Sequence, residues 1–559
     1  MSVTAATMNR PLTRRMSSRL LACAILLVFW ANGLAYLASW PPVHEDEPWI
    51  LSPGYTFWGE GRFGSDLFSG FYGMEDHFFG FLPLFSLLNG GLARLIGLGL
   101  FQLRYGTLAL MLLALAATYK VGQRLFSARV GLLALLILTF FRLAGPFPHL
   151  KTGIPFADAA RIARYDMAVP IFGLLALLTI INEVAASTKL LTGPKTSVQP
   201  EKRAASDLKP RFKSFLVAGM LIGLAGLCHI YGLLWLPGLA LSLGWLWGKR
   251  AVGPVLWMVL GLVVVWLPYL LYVALAWDDF LGQNYVNAAR SDIANPIFYL
   301  LNLLQEVERY DPLLNGAKEH LGAWLFLIGL PLATLLLLYR AIWQKSASAV
   351  IIVGPMLVLM AGLGLLLATK TFTYLATLWP LFAITLAAGM AVAWQAKPAP
   401  RWWRPVLASL LILALLEGSW GLGEFRRQAA QATPYAAFTA RLAAHIPPGS
   451  RIVALQHYWP GLSEFEYRTL LVPFFQASAR NTPRPISFYD GLAQTAPDVI
   501  MIDEPVQQYF DGISGPTHPN RHIWLDFERY LADHQGQVLA RFEDPTYGRM
   551  TIYEIGSKE

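Results

Sequence analysis

Residues 1–423 form a succession of long apolar runs separated by short polar connections, whereas beyond 424 apolar and polar positions alternate on a much finer scale. A helix of near 20 residues crosses a hydrocarbon core of about 30 Å, since each residue rises about 1.5 Å. Charges and Pro/Gly punctuation mark off eleven runs of that kind, at about 20–40, 103–121, 129–147, 166–183, 214–230, 232–248, 252–276, 321–339, 349–368, 375–394 and 405–421. The tail turns polar at Glu424 and holds short apolar stretches at 452–455, 499–502, 538–542 and 550–555, which predict strands, while 436–445 and 527–534 predict helices. The expected architecture is an α-helical multi-pass membrane domain of about 11 transmembrane helices, residues 1–423, followed by a small α/β domain outside the membrane, 424–559.

Basic residues set the orientation. With a cytoplasmic N-terminus, every inner connection carries them: Lys120, Arg124 and Arg129, then Lys189 to Lys213, Lys249 and Arg250, Arg340 and Lys345, and Lys397 to Arg404. That is the positive-inside pattern, and it puts the C-terminal domain on the extracytoplasmic side of the plasma membrane. The inner loop 187–213, rich in Lys, Pro, Ser and Thr, reads as linker-like. Arg10, Arg14, Arg15 and Arg19 precede the first run as in a signal peptide, but the run is as long as a bilayer span and no A-x-A site follows, so an uncleaved first helix is expected. Three outer segments are long: 41–102, 277–320 and the tail. The first is dense in aromatics such as Trp49, Phe57, Trp58, Phe78 and Phe79, as in helices that lie in the headgroup layer. Its apolar stretch 82–100, broken by Gly90, Gly91, Gly97 and Gly99, is expected to be interfacial or re-entrant, because counting it as a span inverts the later charge pattern.

Composition agrees with this picture. Of 559 residues, 55% are hydrophobic and 14% charged, and the mean hydropathy is +0.46, which excludes a soluble protein of this length. The net charge of +9 invites nucleic acid as a partner. Its basic residues serve topology instead, so membrane lipid and not nucleic acid is the expected environment. Cys23 and Cys228 fall near opposite membrane faces and imply no disulfide.

Ionisable side chains at span ends are the candidates for chemistry, because carboxylates and guanidiniums are costly deeper in the bilayer. On this topology Asp46, Glu47, Glu75, Asp76, His77, Arg104, Arg161, Arg164, Asp166, His229, Lys370 and Tyr374 share the outer face. Ordinary helix-end charges that pair with one another are the plain alternative. Lys370 follows a long uncharged stretch, and Arg164, two residues before Asp166, is expected to diverge from it on a helical turn.

The order of these elements resembles the family 39 glycosyltransferases of the C superfamily (GT-C), which include protein O-mannosyltransferases and bacterial aminoarabinose transferases. The resemblance rests on Asp46-Glu47 after the first span, Gly73-Met74-Glu75-Asp76-His77 with Phe81-Leu82-Pro83-Leu84, Arg104-Tyr105-Gly106, Ala163-Arg164-Tyr165-Asp166-Met167, Gly223 to His229, and Lys370-Thr371-Phe372-Thr373-Tyr374. It covers roughly residues 20–395. It implies transfer of a hexose or pentose from a polyprenyl-phosphate donor to a lipid, glycan or protein acceptor, with inversion. Asp46 matches the family's acidic loop position and is the expected base, Asp166 its partner, and Glu47 an acceptor contact or helix-terminus support. A departing phosphate needs cations; Lys370 and Arg104 are the expected ones, with Arg164 and the hydroxyl of Tyr374 beside them. His229 is either a packed helix-end residue or an acceptor contact. Some relatives carry Glu-Lys-Pro where this chain has Glu75-Asp76-His77, so one phosphate-binding lysine is missing here. Glu75 and His77 are weighed as ligands of a divalent cation, the one candidate cofactor, against plain hydrogen bonding.

In the tail, Asp503-Glu504 and the His518/His522 pair stand in loop-like surroundings, and His457-Tyr458-Trp459 reads as a core aromatic cluster or a sugar platform. The charges of 277–320, among them Asp278, Asp279, Gln283, Arg290 and Arg309, are expected on a solvated face of a segment that covers the site. A transporter or flippase of lipid-linked glycans is the alternative to an enzyme, disfavoured because span interiors hold few ionisable residues and no internal repeat is evident. An inactive partner in envelope assembly is a third.

Overall fold

The computed structural model describes residues 10–145, 151–192, 212–290, 292–395 and 402–556; most of the linker-like loop 187–213 lies outside them. All eleven expected spans contain a helix: α1 Arg10–Leu34, α4 Leu100–Leu125, α5 Ala128–Phe140, α7 Val169–Thr192, α8 Phe212–Cys228, α9 Trp235–Trp247, α10 Val252–Leu275, α15 Leu321–Ile342, α16 Ala347–Leu366, α17 Trp379–Gln395 and α18 Trp403–Ala429. Among the described residues, seven segments are long and apolar enough to cross a membrane, and α5, α8 and α17 are shorter apolar helices. The bundle is inside-out in the sense lipid demands: α10 presents Leu256, Val264, Leu267, Leu271 and Leu275 outward, while the bundle centre buries Met111, Leu177, Trp235 and Phe382. Cys23 and Cys228 are both free thiols.

Between α1 and α4 the chain forms α2 (Asp46–Glu60) and α3 (Pro83–Ile96). Fourteen residues give α3 about 21 Å, short of a bilayer core. Its glycines do not break it. Gly90 and Gly54 of α2 let the two backbones touch, for a Cβ on Gly54 would sit 1.9 Å from the Ser86 carbonyl oxygen and one on Gly90 2.1 Å from the Gly54 carbonyl carbon. The span expected over 129–147 ends early as a helix, because Phe141 turns extended and Leu143 and Ala144 donate to the Gly153 carbonyl. Short helices α6 (Pro155–Ala159), α11 (Trp277–Gln283), α12 (Tyr285–Arg290), α13 (Pro296–Leu304) and α14 (Asp311–Gly316) lie in the connections.

The C-terminal sheet has the order β2-β1-β3-β5-β4, where β1 is Arg451–Ala454, β2 Glu466–Thr469, β3 Val499–Asp503, β4 Gln537–Asp544 and β5 Gly548–Glu554. β1 pairs in parallel with β2 and β3, and β5 runs antiparallel between β3 and β4. Around the sheet are α19 Tyr435–Ala443, α20 Leu471–Gln476, α21 Phe488–Thr495, α22 Glu504–Ile513 and α23 Arg521–Asp533. The four expected strands are present. β2 escapes sequence patterning because it is a four-residue edge strand of mostly polar residues. The change of composition at Glu424 falls inside α18, which continues to Ala429 before the domain begins. One continuous core joins this domain to the first long connection: Leu51, Phe63, Phe68 and Phe71 pack in the same cluster as Phe438, Ile452, Val499 and Ile552.

Candidate functional site

The acidic pair opens α2, where both carboxylates sit in the first turn and favour the positive end of the helix dipole. Their side chains then go different ways. Glu47 is fully buried in a two-pronged ion pair, Arg104 Nε to Oε1 at 2.8 Å and Nη2 to Oε2 at 2.7 Å. The amides of Ala163 and His44 also donate to it, each at 2.8 Å. Burial works against the charge, but Arg104 and these hydrogen bonds outweigh it and hold the Glu47 carboxyl below its ordinary value. Arg104 spends its remaining N–H groups on the carbonyls of Leu37, Pro41 and Pro42. All five guanidinium donors are thereby used, so Arg104 does not face a phosphate as the sequence led us to expect. It and Glu47 instead hold the first connection onto α4.

Asp46 points to a second cluster. Arg164 Nη1 meets its Oδ2 at 2.5 Å, and Arg164 Nε meets Asp166 Oδ1 at 3.2 Å. The expected divergence of Arg164 and Asp166 does not occur, because Arg164 is extended (φ −122°, ψ 140°) ahead of a 3-10 turn, Tyr165–Ala168, and folds back on it. One guanidinium therefore bridges two carboxylates that the sequence separates by 120 residues. Asp46 keeps 18% of its side chain exposed and Asp166 none. Among the described residues, Asp166 Oδ2 is buried without a hydrogen-bond partner, a costly state that a ligand donor would relieve. A wall of rings closes this end: His229 stacks between Tyr165 (centroids 5.0 Å) and Tyr231 (4.0 Å), with Tyr374 at 5.2 Å from His229. His229 also caps the turn that starts α9, accepting from the Tyr231 amide. These contacts are those of a packed helix-end residue.

Lys370 belongs to a third group. Its Nζ lies 3.0 Å from Glu306 Oε2 and 2.9 Å from the Gly364 carbonyl. Arg309 grips the same carboxylate, Nε to Oε1 at 2.7 Å. Burial holds the Lys370 ammonium below its ordinary value against the pull of Glu306. Arg309, expected on a solvated face, is fully buried, its other N–H groups on the carbonyls of Leu363, Thr369 and Thr371, and its guanidinium 6.0 Å from the Tyr374 ring. Glu306 and Arg309 are not singled out by the outer-face pattern, although their i,i+3 spacing directly after the apolar run of α13 is a usable signal.

Glu75 and His77 take separate partners. Glu75 Oε2 accepts from the Gly70 amide, whereas His77 Nδ1 lies 2.9 Å from Asp279 Oδ2, which ties the first connection to α11. Among the described residues no three His, Cys, Asp or Glu side chains converge at metal-binding distances. In the tail, Asp503 caps α22 and accepts from the Tyr458 hydroxyl at 2.9 Å, and Gln456 donates to the Glu45 carbonyl at 3.0 Å, so this domain touches the connection that carries Asp46. His518 accepts from the Asn520 amide in an exposed loop.

No family profile and no curated protein matches the chain. Solved structures do. ArnT from Cupriavidus metallidurans in the apo state aligns over 98% of this chain and all of its own, with TM-score 0.59 and 15% identity. The same protein bound to undecaprenyl phosphate gives TM-score 0.57 at 14% identity, covering 97% of this chain and 99% of its own. The oligosaccharyltransferase AglB from Archaeoglobus fulgidus, in complex with an inhibitory peptide and a dolichol-phosphate, aligns over 95% of this chain and 74% of its own, with TM-score 0.54 and 13% identity. The chain thus has the α-helical multi-pass fold that ArnT and the archaeal oligosaccharyltransferase display.

Proposed function

We propose that the protein is a glycosyltransferase of the plasma membrane that moves a sugar from a polyprenyl-phosphate donor to an envelope lipid, glycan or protein acceptor. The reaction would take place on the extracytoplasmic face, with the N-terminus cytoplasmic. One observation carries this reading: Asp46 and Asp166 joined by Arg164, with one Asp166 oxygen buried and unpartnered, in the fold of a protein that binds undecaprenyl phosphate. Asp46 accepts the proton of the acceptor hydroxyl as that oxygen bonds to the anomeric carbon, and the carbon–oxygen bond to phosphate breaks on the opposite side with its electron pair. Inversion follows from this single displacement. Arg164 fixes the direction of both carboxylates, and Asp166 accepts a hydrogen bond from a sugar or acceptor hydroxyl. Arg309 is as fully engaged as Arg104, whereas the Lys370 ammonium has a donor beyond those on Glu306 and the Gly364 carbonyl, which makes it the suitable cation to receive charge that builds on the phosphate.

The test uses purified full-length protein in lipid nanodiscs with a hexose or pentose linked to undecaprenyl phosphate, and follows release of the lipid phosphate. General-base help is worth about 10²- to 10⁴-fold, so Asp46→Asn is expected to lose that much turnover while it still binds the donor. Unchanged turnover would remove Asp46 from the mechanism. Absence of turnover with either sugar class, together with donor movement across the bilayer of proteoliposomes holding the same protein, would favour a flippase instead.

A further inference from the structure

A cleft of about 400 Å³ lies between the C-terminal half of α2, the 3-10 turn Asp66–Phe68 and β2 of the C-terminal domain. The chemistry above does not use it. On one wall the Tyr55 ring is held by Arg94, whose guanidinium stacks 3.6 Å from the ring centroid while Nε donates to the Tyr55 carbonyl. Trp459 meets the same ring edge-on, with centroids 5.8 Å apart and planes at 81°. The facing wall brings Glu466 and Arg468 of β2, paired with each other at 3.1 Å, and Asp66, paired with Arg62 at 3.0 Å. The charged side chains that line the cleft are three carboxylates, Glu60, Asp66 and Glu466, against two guanidiniums, Arg94 and Arg468.

This lining selects a chemistry. Its carboxylates are already paired, Glu60 and Asp66 with Arg62 and Glu466 with Arg451 and Arg468, and Arg94 is engaged on Tyr55, so the lining is not arranged around a phosphate-rich ligand, and so many polar groups oppose an acyl chain. Partly exposed rings beside hydroxyls and paired charges suit a neutral polyhydroxylated chain, whose C–H faces lie on aromatic rings and whose hydroxyls both donate and accept. Placement agrees: Tyr55 is nine residues beyond Asp46 on α2, about 14 Å along the helix axis at 1.5 Å per residue. Both the membrane-associated helix and the C-terminal domain are needed to form the cleft.

We propose that this cleft is a saccharide subsite that holds sugar units of the acceptor a few residues away from the unit that reacts at Asp46. The acceptor role rests on the transferase reading; sugar binding in the cleft does not. The full-length protein in nanodiscs is examined by saturation-transfer NMR with mannotetraose, maltotetraose and chitotetraose as probes. At least one tetrasaccharide is expected to show saturation of its ring protons, unchanged in Asp46→Asn and at least fivefold weaker in Trp459→Ala. Ser463→Trp fills the cleft from its exposed rim without touching the core, so it is expected to block binding with an unaltered thermal transition. Absence of saturation with all three sugars, or equal saturation in both cleft variants, overturns the proposal, as does displacement of the sugar by a Ser/Thr-rich tetrapeptide that binds more tightly. The donor assay separates the two readings. Wild type that binds sugar but releases no polyprenyl phosphate would remove the transferase and keep the subsite; normal release without sugar binding would do the reverse.

Discussion

At single residues, the division between support and chemistry follows from how completely each charge is satisfied. Glu47 and Arg104 have every hydrogen-bonding position filled and no exposure, so their role is to hold the connection. Removing one partner from a buried pair strands the other charge, which typically costs about 3 to 5 kcal/mol. Arg104→Met is accordingly expected to unfold at markedly lower temperature, read by differential scanning fluorimetry in detergent, whereas Asp46→Asn keeps the wild-type transition. The carboxyl of Glu47 is held below its ordinary value of 4.5, so its stabilisation is present above that pH and is lost as pH falls through the lowered value. Asp158 behaves oppositely. Burial raises it to about 7 despite hydrogen bonds from Thr152, so the folded protein binds a proton that the unfolded chain has released between pH 3.8 and 7. That part of the stability falls as pH rises across the interval. Asp158→Asn keeps an acceptor for the Thr152 amide, and its thermal transition is expected to shift less between pH 5 and 8 than that of wild type. Arg164→Lys is a sharper test of the bridge. A point charge cannot reach two carboxylates with separate fixed donors, so turnover is expected to drop at least tenfold with the fold retained in the same scan.

At the level of elements, α2 has the most to do. It carries Asp46 and Glu47 in its first turn, touches α3 through Gly54 and Gly90, and contributes Tyr55 to the cleft. The Gly54 contact is backbone against backbone, which a neighbouring side chain cannot relieve by moving. Gly54→Val is therefore expected to force α2 and α3 apart and lower the thermal transition by several degrees, while Gly61→Ala is a poor control because its φ of 78° favours glycine on its own account. Helix positions were legible because apolar runs bounded by charge describe spans whatever their neighbours are. Their ends were not. α5 stops at Phe140 and α18 runs to Ala429 because of the partners each finds in the fold, not because of a signal in the run itself.

For the whole molecule, the shared core between the C-terminal domain and the first long connection means that neither is closed alone. A chain truncated after residue 430 leaves Leu51, Phe63, Phe68 and Phe71 without the partners that now bury them. Exposed apolar surface of that kind promotes association. The truncated protein is expected to elute as aggregate in fluorescence-detected size exclusion, where the full chain gives one symmetric peak. Recovery of a monodisperse truncated protein would show that the two units fold independently.

What the sequence determined by itself is the class of fold and the sites of the spans, because hydrophobic length and the cost of charge in a bilayer act locally on any chain. The tertiary structure alone decided which partner each charge took. Arg104 went to Glu47 rather than phosphate, Arg164 turned back to join Asp46 and Asp166, and Arg309 entered the interior with Glu306 and Lys370. Those pairings join residues from distant elements. They depend on backbone direction and burial that no local pattern encodes.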